Sequence, residues 1–478
     1  MRRGFGWIAV VVLAAGCTSI PQDRASAAPC AADAVHSVQQ VETAQGALDY
    51  DVCAGTIAIA DRDGQPTADL FYTAYFRQDG GAERPLSFVW NGGPGADSRL
   101  LHFEALGPRV FRDGALADNR QTLLIASDLV FLDPAGTGFS RARSDEAAAG
   151  LYGTVGDIAA TADFIARFRS AYARAQSPLF LFGESFGTWR ATGTAEALAD
   201  AGIAVDGIGL ISGGIPLGEE RDRARSRALS LPNRTATALA LDRLDPALQA
   251  KGERAVAEAT EWARAVWYPA LADPASLAPD ERAKVIDGVA RYHGMQPSQI
   301  DAETLWVSPR DFRTGLLTGK TLDVFDMRKT ARMAEESHET AIIGYYRDVL
   351  GYSDGRYAGI ESEAIPVGAQ WQYDQAPITE ESLARAMAGE GPPSPSQPWT
   401  VNAMRKLPGL QVFVAAGLYD SLNSCAANEA MVADLPGAIG ARIALHCYAG
   451  GHMMYDQAEV ADQFGKDLIT FVGNPSPD

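Results

Sequence analysis

The chain has 478 residues, with 60 Asp and Glu against 41 Lys and Arg, a net charge of −19 and an apolar fraction of 47%. That composition suits a globular core, and the length exceeds the roughly 100 to 250 residues of a single core, so it predicts two domains or one domain carrying a large insertion. The acidic excess excludes nucleic acid as a main partner and argues against adhesion to an anionic lipid surface, since either requires a field of Lys and Arg.

At the start, Arg2 and Arg3 precede an apolar run from Trp7 to Ala15 that stops at Gly16-Cys17. The run is too short to span a bilayer permanently, and its basic start and small-residue end predict an export signal over residues 1–17. Leu13-Ala14-Ala15-Gly16-Cys17 resembles a bacterial lipobox, in which the Cys17 thiol is lipidated and anchors the mature chain to a membrane; plain cleavage near Ala25-Ser26-Ala27 is the alternative. The expected location is outside the cytoplasm: the bacterial cell envelope, as a periplasmic protein or outer-membrane lipoprotein, or the medium. Residues 18–34, rich in Ala, Ser and Pro without periodicity, read as a flexible tether. With Cys17 set aside, Cys30 and Cys53 near the start and Cys425 and Cys447 near the end suggest two local disulfides, although four cysteines allow three connectivities. No pair has Cys-x-x-Cys spacing, so a zinc or redox site has no support.

Next come two β-prone runs, Gly55 to Ala60 and Leu70 to Arg77, around Asp61-Arg62-Asp63-Gly64; they predict a hairpin at a sheet edge. Short continuous apolar runs follow at Leu86 to Trp90, Leu129 to Leu132, Leu179 to Phe182, Ile208 to Ile211 and Val412 to Ala415. Runs apolar on both faces are buried parallel strands, and the helical patterns Ile158 to Ala175 and Thr188 to Ala201 between them predict an α/β sheet covered on both faces. From about Pro216 to Trp399 charged amphipathic stretches dominate instead: Arg221 to Arg227, Leu241 to Trp267, Asp280 to Tyr292 and Met327 to Leu350. Gly391 to Ser396 closes them like a stiff linker. The expected division is a core over 35–215 and 401–473, a mostly helical insertion over 216–400, and a tail over 474–478.

Gly183-Glu184-Ser185-Phe186-Gly187 fits the G-x-S-x-G pattern and lies between a predicted strand and a predicted helix. A nucleophilic serine needs that context, because it sits on a strained turn where flanking Cβ atoms have no room. A serine also needs a base, which follows it along the chain in this arrangement. His452 comes just after Gly450-Gly451, on a loop beyond a strand, whereas His293 and His338 read as solvated helix positions and His446 as structural. Asp420, after Val412 to Ala415 and Gly417-Leu418-Tyr419, is the candidate acid that orients the imidazole; Asp434 reads as a surface charge. Asn91-Gly92-Gly93-Pro94-Gly95 exposes backbone N–H groups after a strand, so that Gly93 and Phe186 N–H form a candidate oxyanion hole.

Four strings resemble the serine carboxypeptidase family: Trp90 to Gly95 (WNGGPG), Phe131 to Ser140 (ending GTGFS), Gly183 to Gly187, and Gly450 to Met454. The resemblance implies an α/β-hydrolase fold with a mostly parallel central sheet and a large, mostly helical cap insertion, Ser185, Asp420 and His452 as the triad, and no cofactor or metal. It further implies that Asn91, Gly92 and Glu184 bind the free carboxylate of the substrate, the acid holding a proton and so favouring acidic pH. The expected activity is serine-type carboxypeptidase action on peptides through an acyl-enzyme, the alternative being an esterase or acyltransferase that uses the same triad on a small acyl substrate. Departures from the family pattern are Ala96-Asp97-Ser98 in place of Cys-Ser-Ser, Phe186 in place of a tyrosine, and Ala105 where a second recognition Glu is usual, with Glu104 one step earlier.

Overall fold

The computed structural model describes Met1 and residues 29–112, 114–218, 222–330, 338–361, 365–376, 379–387 and 396–474. The expected signal, the Cys17 lipidation site, the tether up to residue 28, the linker over 391–395 and the tail beyond 474 lie outside the described residues.

The described residues form twelve strands: β1 (Val35–Thr43), β2 (Gly46–Ala60), β3 (Pro66–Arg77), β4 (Leu86–Trp90), β5 (Arg109–Arg112), β6 (Ala115–Asp118), β7 (Asp128–Leu132), β8 (Arg141–Ala142), β9 (Leu179–Glu184), β10 (Gly207–Ile211), β11 (Gln411–Gly417) and β12 (Ile443–Tyr448). The main sheet runs β1-β2-β3-β7-β4-β9-β10-β11-β12, with β8 against β3, while β5 and β6 pair separately. The six strands from β7 to β12 in that order are parallel, and β1, β2 and β3 join antiparallel. Each expected parallel strand is present. The β2–β3 hairpin is not at the edge, however, because β1 covers it: the alternating pattern of Val35 to Thr43 buries only its last few inward positions, a weaker signal than a continuous apolar run.

The strands are apolar on both sides because both sides are covered. In β9, Leu179 and Leu181 face one core and Phe180 and Phe182 the other; in β11, Val412 and Val414 alternate with Phe413 and Ala415 in the same way. The first face is covered by helices Thr154–Ala171, Gly187–Asp200 and Trp399–Lys406, through residues such as Phe164, Phe168, Ala191, Leu198 and Met404. The second is covered by helix Ala458–Gly473, by Leu101–Leu106 and by Tyr345, Tyr346 and Tyr357 from the insertion.

The insertion divides into two parts. Residues 223–327 form a helical cap with its own core, built on Leu231, Trp267, Val289 and Phe312. Residues 338–361 and 365–376 depart from the expected helical character: beyond Glu339–Val349 the described residues among them hold one short helical turn, Val367–Gln370, and otherwise run as loops, placing Tyr352 beside Phe71 and Phe139. His293 corrects the solvated reading. It is fully buried, with Nδ1 donating to Val289 O at 2.8 Å, because its helix faces the cap interior on that side. Cys30 pairs with Cys53 and Cys425 with Cys447, the local connectivity of the three open to the sequence.

One buried ion pair links the fold to the site. Arg190 is fully buried, donates from Nε to Asp157 Oδ2 at 2.7 Å and from Nη1 to Asn91 O at 2.8 Å. Asp157→Asn leaves that guanidinium without its counter-charge, and urea unfolding is expected to register a loss of about 3 kcal/mol; a loss below about 0.5 kcal/mol contradicts the assigned role.

Candidate active site

The site forms where β9 ends. The chain turns through Ser185 with φ +56° and enters helix Gly187–Asp200, and Ser185 N–H donates to Ile211 O at 2.8 Å. A Cβ on Gly183 would run into Gly187 O, so the tight crossing of strand and helix admits only glycine. Gly92 is under the same pressure from outside: a Cβ there would lie 2.5 Å from both Glu184 O and Phe186 N. The loop after β4 is therefore pressed backbone to backbone against the turn, and Trp90 fastens it by donating from Nε1 to Gly187 O at 3.0 Å.

The acid and base come from the loops after β11 and β12. His452 Nδ1 and Asp420 Oδ2 are 2.8 Å apart, both side chains buried, and Asp420 Oδ1 accepts from Leu422 N–H at 2.8 Å. With Nδ1–H pointed at the carboxylate, Nε2 is left as the proton acceptor. Burial acts to lower the His452 pKa, but the Asp420 carboxylate and then the Glu184 charge outweigh it and hold the imidazole above its ordinary value. Burial lifts Asp420 above the usual carboxylate range, with His452 pulling it back.

The end of β10 links the turn at Ser185 to the loop that carries His452. Ser212, with φ +51°, takes its N–H to Ala415 O at 2.8 Å and donates its hydroxyl to His452 O. No hydrogen bond joins the Ser185 hydroxyl to the imidazole among the described residues; such bonds commonly tighten only with substrate bound. His452 N–H also donates to Phe325 O of the cap at 2.6 Å, with the two rings 5.3 Å apart.

Gly93 and Phe186 present two N–H groups on adjoining turns, and neither has an acceptor in the chain among the described residues. Behind them Glu184 points to the same face as Phe180 and Phe182, where its Oε2 accepts from Asn91 Nδ2 at 2.8 Å and from Tyr455 OH at 2.6 Å. Asn91 is oriented in turn, its Oδ1 accepting from Leu101 N–H at 3.1 Å. Burial pushes the Glu184 carboxyl up to about 7, against the opposing pulls of His452, Tyr455 and Asn91. Glu104, half-buried on Leu101–Leu106, acts electrostatically on the same Tyr455 hydroxyl as Glu184. Asn91, Gly92 and Gly93 after β4, Glu184 to Phe186 at the end of β9, Asp420 after β11 and His452 after β12 thus lie at one end of the parallel strands.

Sequence reasoning missed Tyr455, Ser212 and Asn233. Ser212-Gly213-Gly214 after a strand was a signal of close approach: a Cβ on Gly213 would sit 2.5 Å from Ser185 O. Asn233 had no local signal, since its Nδ2 acts across the chain, on the carbonyls of Gly417, Asp420 and Asn423 at 3.0 to 3.3 Å. Phe186 is walled by Trp189, Trp371 and Tyr373, with ring centroids 5.2 to 6.3 Å away.

Residues 50–199 match the family model of the serine carboxypeptidases. Over 86 residues the chain is 41% identical to the pheromone-processing carboxypeptidase KEX1 of Saccharomyces cerevisiae, a stretch that is 17% of this chain and 12% of that relative, so the match spans about an eighth of the relative's length. The crystal structure of a shortened KEX1, described as a prohormone-processing carboxypeptidase from S. cerevisiae, superposes with a TM-score of 0.54 at 15% identity, covering 88% of this chain and 91% of that one. The sheet order, the helical layers and this likeness are those of an α/β-hydrolase fold.

A serine-directed fluorophosphonate is expected to add its mass to the intact protein but not to Ser185→Ala, and Asp420→Asn is expected to slow labelling by about 1,000-fold or more. Labelling of the alanine variant at the native rate contradicts the assignment of the nucleophile.

Proposed function

Through residues 50–199 the chain is a member of the serine carboxypeptidase family, and from that premise we propose that it removes single residues from the C-termini of peptides by way of an acyl-enzyme. The observation that carries this reading is the buried Asn91–Glu184–Tyr455 group set directly behind the nucleophile. A general acyl-transfer enzyme has no use for a proton-bearing carboxyl there, whereas a carboxyl held near pH 7 can share its proton with the carboxylate at the end of a peptide.

In this reading the terminal carboxylate docks on Asn91, Gly92 and Glu184, with Glu104 adding to the field at the same side. Ser185 Oγ attacks the last peptide carbonyl while His452 Nε2 accepts its proton, and Asp420 stabilises the imidazolium. The negative oxygen of the tetrahedral species is met by Gly93 and Phe186 N–H, an arrangement worth several kcal/mol. Collapse passes the proton from His452 to the leaving amine, and water repeats the sequence to free the shortened peptide. The same proposal places the protein outside the cytoplasm, where the Cys30–Cys53 and Cys425–Cys447 disulfides persist, with Cys17 as its lipid attachment to the cell envelope. No described helix is long and apolar enough to cross a membrane.

Two measurements test the reading. A blocked peptide with a free C-terminus is expected to be cleaved at least about 100-fold faster, in kcat/KM, than its C-terminal amide, because the amide leaves the buried carboxyl without its partner; equal rates make the protein an esterase or acyltransferase on the same triad. The sign of the pH dependence follows from Glu184: protonated below about 7, it donates to the substrate, and ionised above that it repels it. KM for the free acid is therefore expected to rise roughly several-fold from pH 6 to pH 8. Glu184→Gln, which donates at every pH, is expected to flatten that rise while the fall of kcat on acidification, set by protonation of His452, remains.

A further inference from the structure

A cavity of about 960 Å³ lies between the helical cap and the core and does not include Ser185 among its lining residues. It begins beside the nucleophile all the same. Its wall includes Trp189, one helical turn beyond Ser185, together with Gly214 after β10 and Asp420 to Asn423 after β11. Asn423 Nδ2 donates to Gly213 O at 2.8 Å, tying this wall to the turn that touches Ser185 O.

The lining is unusually cationic. Arg223, Arg225, Arg227, Arg234 and Arg405 all border the space. Of the three acids there, Asp434 is engaged by Arg225, Asp420 is paired with His452, and Asp222 caps helix Arg223–Ala228 while accepting from Tyr268 OH at 2.5 Å. Arg223, Arg227, Arg234 and Arg405 have no carboxylate partner within salt-bridge distance among the described residues. Arg234 is the most telling: only 3% exposed, it donates from Nη1 to Val307 O at 2.6 Å and to His293 Nε2 at 3.1 Å, and the remaining N–H groups of its fork have no acceptor in the chain. Both neighbours of that Nη1 are uncharged, since His293 Nδ1 already donates to Val289 O and burial holds the imidazole neutral. Trp306 stacks on the guanidinium groups of Arg227 and Arg234, each 5.0 Å from its ring, and fixes their planes. Asp311 supports the Arg234 charge electrostatically without a hydrogen bond to it, and a buried cation hydrogen-bonded only to neutral groups is costly unless an anion completes it.

The position of the cavity says which anion. The clamp of Asn91 and Glu184 lies on the β4 side of β9 and on the face of Phe180 and Phe182, whereas the cavity lies beyond β10 and β11, on the face of Ile215 and Val401. A peptide whose terminal carboxylate sits at the clamp therefore runs its preceding residues toward the arginines. We infer that this cavity holds an acidic side chain on the acyl side of the scissile bond, so that peptides with Asp or Glu ahead of their last residue are the favoured substrates. This inference rests on the carboxypeptidase reading for its direction along the peptide.

The test uses blocked tetrapeptides ending in a free Phe, with Glu, Gln or Lys at each of the three preceding positions. At one of them kcat/KM for Glu is expected to exceed that for Gln by about tenfold, with Lys below both, and the ratio to shrink with added salt. Arg227→Gln and Arg234→Gln are expected to bring the Glu/Gln ratio close to one, Arg234→Lys to keep part of it, and Arg264→Gln, on the outside of the cap, to keep all of it. Calorimetry on Ser185→Ala with the same peptides is expected to give the same ranking in Kd. Equal binding and turnover of the Glu and Gln peptides overturns the inference, as does a Glu/Gln ratio untouched by Arg227→Gln. Glu-selective, arginine-dependent binding to Ser185→Ala without cleavage of any peptide by the native protein upholds the cavity assignment and overturns the proposed reaction.

Discussion

The site depends on the way the backbone turns at the end of β9. Holding Ser185 at φ +56° costs on the order of 1–3 kcal/mol, a cost met by packing that leaves no alternative path. Gly183 crosses against Gly187, Gly92 crosses against Glu184 O and Phe186 N, and Ser185 N–H is committed to Ile211 O. That one crowded crossing lifts the hydroxyl above the sheet, aligns the Gly93 and Phe186 amides on adjoining turns, and leaves Glu184 on the opposite face beside Asn91. In the proposed reaction, nucleophile, oxyanion donors and clamp are separate functions that share a single backbone constraint.

Charge is distributed with the same economy. His452, Asp420 and Glu184 are buried close enough to act on one another, and each is held away from its ordinary titration range chiefly by burial or by its neighbour. In the proposed reaction, the acid behind Ser185 is the one group of the three that benefits from being protonated, while Asp420 would serve as the anion and His452 as the acceptor. A single desolvated environment thus supports three carboxylate and imidazole roles, sorted by which hydrogen bonds each side chain accepts.

Much of this was legible in the sequence. Parallel strands announce themselves as continuous apolar runs because both faces are covered, and Leu86 to Trp90, Leu179 to Phe182 and Val412 to Ala415 all formed as strands. Ser185, His452 and Gly92 stood out in the sequence because close backbone approach requires glycine at Gly183, Gly92 and Gly451. The losses have a common physical origin. β1 alternates weakly and pairs at an edge; His293 lies on a helix whose burial is set by a partner helix; residues 351–361 and 365–376 follow the shape of the surface they cover rather than any period of their own. Tyr455 and Asn233 act through contacts 271 and 184 or more residues away in sequence, where local patterning carries no information.

The insertion does more than roof the site. Phe325 O receives the His452 amide, Val324 O receives the Ser421 hydroxyl at 2.6 Å, Met327 N–H reaches Tyr419 O at 3.0 Å, and Asn233 gathers the carbonyls around Asp420. The loops bearing the acid and the base are laced to the cap from above as firmly as to the sheet from below. A cap transplanted from a relative is therefore not a neutral exchange of specificity: unless the graft reproduces these stitches, it arrives with its own selectivity and unseats the catalytic loops beneath it.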